Sequence, residues 1–111
     1  MCTQNQAMEI LREVFRQCST RFPCAIREAY LYGSYARGDY HAESDVDILL
    51  TVDTEDVSPL RKTAAEVSSG LSLEHDVTVS VSLKPAAQFQ RYSNSLPFYQ
   101  NVVKEGIRYA S

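Results

Sequence analysis

Apolar residues at Ala7, Ile10, Leu11, Val14, Phe15 and Cys18 recur at helical spacing, with Glu9, Arg12, Glu13 and Arg16 on the opposite side. This pattern predicts an amphipathic first helix, ended by Pro23. Ile26 to Tyr32 then reads as a strand, and Val46 to Val52 as a second. Asp53 to Ser58 is a polar loop. Ser58-Pro59 reads as a helix start, a capping hydroxyl followed by proline at the first helical position. Leu60, Ala64, Val67 and Leu71 form one stripe on that helix. From Asp76 to Leu83, Val77, Val79 and Val81 alternate with Thr78, Ser80 and Ser82, the pattern of a half-buried strand. Pro85 opens a helix to about Asn94, and Pro97 opens a last one that Gly106 closes. No repeat or low-complexity segment interrupts the series. The expected fold is α+β, a small mixed sheet with helices packed on it.

Length and charge narrow the choices. A chain of 111 residues supports a single domain, 1–111, with a two-layer core. No apolar run approaches the roughly 20 residues that cross a bilayer, and the N-terminus lacks a signal-peptide pattern. Cys2, Cys18 and Cys24 are odd in number and lack zinc-type spacing, so reduced thiols in a cytoplasmic protein are expected. The formal charge is -3 and the only lysines are Lys62, Lys84 and Lys104. Without a basic stripe, long DNA or RNA is excluded as the main partner.

The candidate chemistry lies where the first strand ends and the second begins. Ten residues separate Gly33-Ser34 from Asp45-Val46-Asp47. Strand alternation aims Asp45 and Asp47 the same way, while Val46 and Ile48 point to the core. Asp76, taken as the start of the third strand, has the same non-core orientation and joins them if the two strands are neighbours. Two carboxylates about 6 Å apart repel by roughly 3 kcal/mol at an effective dielectric near 20, so converging acids call for a cation. Gly33-Ser34 offers backbone N–H groups and a hydroxyl to a phosphate, provided that the turn leads into a short helix over Tyr35, Ala36 and Arg37. Arg37 can reach a phosphate oxygen with its guanidinium fork. Gly33 and Gly38 fit part of a Walker A loop, but Asp39-Tyr40 stands where that loop needs Lys-Ser/Thr. His41 reads as a loop residue and His75 as a packing residue. Tyr30 and Tyr32 read as core, with Tyr35 or Tyr40 as a possible nucleobase contact.

Gly-Ser-x10-Asp-x-Asp, within Gly-Ser-Tyr-Ala-Arg-Gly and followed by the tail Pro97 to Ile107, resembles the DNA polymerase β-type nucleotidyltransferase superfamily and its minimal nucleotidyltransferase (MNT) branch. The resemblance covers essentially the whole chain. It implies that Asp45 and Asp47 bind Mg²⁺, that Gly33-Ser34 holds the phosphates of ATP, and that Asp76 is the third acid, as metal ligand or base. It further implies an antitoxin that transfers AMP from ATP to a tyrosine of a HEPN-type ribonuclease toxin, and it leaves room for a homodimer. These 111 residues hold no second domain for an acceptor, so the acceptor is expected on another protein. Two rival readings remain: an antitoxin that neutralises by docking alone, and a small-molecule nucleotidyltransferase of the antibiotic-modifying kind.

Overall fold

The computed structural model describes residues 2–110. Helix α1 (Gln4–Arg21) begins with a capping box, in which Thr3 Oγ1 accepts the Gln6 N–H and the Gln6 side chain accepts the Thr3 N–H. Strand β1 (Ile26–Tyr32) follows, then the four-residue helix α2 (Ser34–Arg37) and strand β2 (Val46–Val52). Helix α3 (Ser58–His75) crosses over to strand β3 (Val79–Pro85). Helices α4 (Ala86–Tyr92) and α5 (Pro97–Glu105) lead to a short strand, β4 (Ile107–Tyr109). The strand order is β3-β2-β1-β4, with β2 and β3 parallel and the other two pairs antiparallel.

Alternation along β1 and β2 sorts the core into two layers. Ala29, Leu31, Val46, Ile48, Leu50 and Val52 point to one face, where Ile10, Leu11 and Val14 of α1 and Leu60, Val67 and Leu71 of α3 cover them. Tyr30 and Leu49 point to the other face, under Phe89 of α4 and Tyr99 and Val102 of α5. The mixed sheet with packed helices matches the expected fold class. Burial on both faces explains why β2 reads as a nearly continuous apolar run.

Three local expectations change. The Ser58 hydroxyl does not cap α3; Val57 is the N-cap residue, and the Asp56 carboxylate accepts the Ser58 N–H at 3.0 Å. Helix α3 also runs further than its apolar stripe suggested, to His75, so β3 starts at Val79 rather than Asp76. Strand β4 was not expected, because three residues are too short to display a period of two. The three cysteines are unpaired, and burial pushes the Cys18 thiol up to about 11, which makes it unreactive. No helix among the described residues is long and apolar enough to cross a membrane.

Gly106 joins α5 to β4 at a close approach. A Cβ there would lie 2.3 Å from the Val102 carbonyl oxygen and 3.2 Å from that of Leu31, both backbone atoms. Gly106→Ala is therefore expected to destabilise the fold by about 1–3 kcal/mol in denaturant unfolding. Faster amide exchange should be confined largely to Ile107–Tyr109.

Candidate active site

The site is built where β1 turns into α2. Gly33 has φ 75° and ψ -155°, a combination open essentially to glycine alone. Its carbonyl accepts the N–H groups of Ala36 and Arg37 at 3.1 Å. The N–H groups of Ser34 and Tyr35 precede that first helical bond and have no partner inside α2. The short helix is anchored from behind. Tyr35 is buried, stacks on Tyr40 with ring centroids 4.4 Å apart, and accepts the Gln4 side-chain amide on its carbonyl at 2.9 Å. These contacts fix the turn against α1, and they also remove Tyr35 as a nucleobase contact. Tyr40 has one ring face occupied by the same stack.

Strand register brings the carboxylate to this turn. Asp47 pairs with Tyr32, the residue just before Gly33, across the antiparallel β1–β2 ladder. A Cβ at Gly33 would lie 2.6 Å from Asp47 Oδ2, so the turn touches the carboxylate. Asp45 is exposed and precedes β2. Burial pushes the half-buried Asp47 carboxyl above the usual aspartate range, the Asp45 charge adds to the rise, and the Arg37 charge opposes it. Arg37 stands at the rim, pairing with Asp39 at 3.2 Å and with Glu105 at 3.4 Å.

The structure thus assembles Gly33, Ser34, Asp45 and Asp47, with Arg37 close enough to act on Asp47. Asp76 is different. It is the C-cap of α3, in the left-handed conformation at φ 52° and ψ 47°, and its N–H is donated to the Ser72 carbonyl. It is exposed and lies three residues before β3. Among the described residues no three His, Cys, Asp or Glu side chains form a group able to hold a metal ion. Asp76 therefore stands at the α3 C-cap and not at the start of β3, and the three acids are not preassembled as a metal-holding group. Aspartate tolerates the left-handed region, and helix closure claimed the residue that alternation had assigned to the strand. His41 and His75 take no part. His41 organises its own loop, with its N–H donated to Ser44 Oγ and its Nδ1 accepting the Glu43 N–H.

Ser80 and Tyr32, flanking Asp47, were missed as site residues. In the parallel β2–β3 pair Ser80 stands beside Asp47. Burial raises the Tyr32 phenol above its ordinary value; a hydrogen bond with Ser82 opposes that shift, and the Asp47 charge adds to it. The Val/Ser alternation had shown the face of these serines but not their neighbour.

Hard oxygen donors fit a divalent cation of the Mg²⁺ kind, which typically uses one or two carboxylates and completes its shell with waters and substrate phosphates. Two carboxylates that repel one another beside an open turn meet that requirement; a cage made wholly of protein ligands is not present.

Comparison with known proteins gives a consistent result. The family described as "Nucleotidyltransferase domain" matches residues 11–109. A Methanocaldococcus jannaschii protein named "Putative protein adenylyltransferase MJ0141" is 35% identical over 75 residues, 68% of this chain and 76% of that protein. A chain from a crystal structure of a toxin-antitoxin with AMP-PNP superposes with a TM-score of 0.61 at 23% identity, covering 99% of this chain and 75% of its own. Another comes from a tri-AMPylated Shewanella oneidensis HEPN toxin in complex with MNT antitoxin, with a TM-score of 0.52 at 20% identity, covering 97% and 70%. At these identities the two structures speak for the fold, which is of the nucleotidyltransferase type.

Two outcomes test the geometry. Gly33→Ala forces a side chain against the carboxylate in a forbidden backbone region and is expected to cost about 1–3 kcal/mol in unfolding. The second concerns pH. Because the folded Asp47 carboxyl lies above its ordinary value of 3.8, the stability tied to its protonation is fully present below that pH. It is lost as pH rises through the folded value. In metal-free buffer Asp47→Asn should therefore melt higher than the wild type at pH 7, with the difference shrinking as pH falls through the folded value and absent below 3.8.

Proposed function

The chain belongs to the nucleotidyltransferase domain family, and from that premise we propose that it transfers AMP from ATP to a tyrosine hydroxyl of a HEPN-type toxin, acting as its antitoxin. The contact of the Gly33 turn with the Asp47 carboxylate carries this reading, because a turn suited to a phosphate lies against a carboxylate suited to a cation. The name of the Methanocaldococcus relative supports a protein acceptor. The AMPylated HEPN toxin beside an MNT antitoxin, in a structure of the same fold, supports the kind of protein.

In this reading the N–H groups of Ser34 and Tyr35 and the Ser34 hydroxyl bind the terminal phosphates of ATP. Arg37, at the rim, neutralises the departing pyrophosphate. Asp45 and Asp47 hold Mg²⁺, which when bound offsets the charge that develops on the transferring phosphoryl group. The tyrosyl oxygen bonds to the α-phosphorus, the bond to pyrophosphate breaks with its electron pair, and the hydroxyl proton passes to solvent. The exposed side of Asp45 leaves the approach open to an acceptor carried on another protein.

Intact-mass measurement checks the reading directly. Incubated with this chain and Mg-ATP, a HEPN-type partner should gain one AMP mass or a small multiple. The Asp45→Asn, Asp47→Asn double variant should slow that gain by about 10²-fold or more, the loss of roughly 3 kcal/mol of transition-state stabilisation. A partner that stays unmodified yet is neutralised equally well by the double variant would show docking instead of transfer.

A further inference from the structure

Strand β3 is an edge of the sheet, with β2 on one side and no strand on the other. Its free side can be assigned residue by residue. The Val46 N–H donates to the Thr78 carbonyl at 2.8 Å, so along the parallel ladder the even-numbered residues of β3 turn their backbone groups to β2. The odd-numbered residues turn theirs outward. Val79 obeys this rule, and its outward N–H is donated to the Ser72 hydroxyl at 2.9 Å. The outward N–H groups of Val81 and Leu83 have no such partner among the described residues. A strand edge with free donors and acceptors is a template for another extended chain. Lys84 and Pro85 guard only its last two positions.

A cleft of about 480 Å³ runs beside this edge, and Ala64, Ala65 and Ser68 of α3 form its other wall. These side chains are short, so alternate side chains of an added strand have room there. The charged residues of the lining are Arg61 and Lys84, both cationic. Neither forms an ion pair among the described residues. Pairing β3 with the β3 of a second copy would gather four such cations along one joint, with no acid from the cleft to meet them. An acidic segment meets both charges. We infer that the β3 edge and α3 form a docking groove for an extended, acidic segment of a partner protein, which joins the sheet as a fifth strand on the Val81 and Leu83 backbone and sets carboxylates against Arg61 and Lys84. Nothing in this docking rests on the nucleotide chemistry. Val79, Val81 and Leu83 lie against the α1–α3 core layer, whereas Asp47 and its neighbour Ser80 have the opposite orientation. The segment lies beyond β3, and the side chains it sends toward α3 leave the Asp47 face open.

A displayed library of random nine-residue peptides, panned on the full chain, supplies the probe. Enriched peptides are expected to carry Asp or Glu and to lack proline in their central positions. A synthetic copy of an enriched peptide should slow amide exchange at Val81 and Leu83 by at least about tenfold, the mark of new backbone hydrogen bonds there. Leu83→Pro removes an outward N–H and leaves the ladder donors at Ser82 and Lys84 in place, so it should fold and bind the peptide at least about tenfold more weakly. The double variant Arg61→Glu, Lys84→Glu leaves the strand backbone intact and should weaken binding to a similar degree, about tenfold or more. If Leu83→Pro does not fold, this charge reversal decides alone. Failure to enrich any peptide, enrichment without an acidic bias, or full affinity in the charge-reversed chain would each overturn the docking groove. Exchange that slows elsewhere than at Val81 and Leu83 would do the same. A homodimer in sedimentation that the charge reversal alters would also overturn it, because a second copy would then be the occupant.

Discussion

Burial of β2 on both faces is the constraint from which the rest of the structure follows. Val46, Ile48, Leu50 and Val52 lie beneath α1 and α3, and Leu49 lies beneath α4 and α5, so the strand can neither slip nor rotate without exposing a core layer. A one-residue slip would exchange every side chain between faces. Truncating a buried leucine such as Leu49 removes contacts that are commonly worth about 2–5 kcal/mol. With the strand pinned this way, Asp47 is the one acid in it, and the pleat turns it to the α4–α5 face at the end those helices leave open. The site is where the packing runs out.

The antiparallel pairing of β1 with β2 then performs the assembly. Tyr32 lies opposite Asp47, and the chain must leave the sheet immediately after Tyr32. Gly33 makes that departure in a conformation that side chains forbid, which is also why the backbone can press against the carboxylate. The cost of crowding Asp47 is visible in its raised carboxyl: burial and Asp45 both disfavour its charge, with Arg37 opposing them. On the proposed reading a bound divalent cation would reverse the sign of that cost.

Much of this was legible in the residues. The alternation in Ile26–Tyr32 and Val46–Val52, the helical stripe of α1 and the proline openings of α4 and α5 all report local periodicities, which short-range sterics enforce. The Gly33-Ser34 to Asp45-x-Asp47 spacing was equally legible, because a hairpin-like return fixes where the second strand must begin. The error at Asp76 shows the limit. Residues 76–78 satisfy both a strand alternation and a helix closure, and the closure prevailed: the N–H groups of Asp76 and Val77 both reach the Ser72 carbonyl, while the Ser72 hydroxyl accepts the Val79 N–H.

Sequence alone therefore determined the longer elements, the polar and apolar faces of the first three strands, and that a glycine turn precedes two carboxylates. The tertiary structure alone decided who stands next to whom. Strand alternation specifies a face but carries no information about register, and register between β2 and β3 is set at a distance by the length and closure of α3. That closure placed Ser80 beside Asp47, and it moved Asp76 from the strand to the C-cap of α3. The pairing of neighbours across strands is a property of the packed sheet, since only packing can choose among registers that the local pattern allows equally.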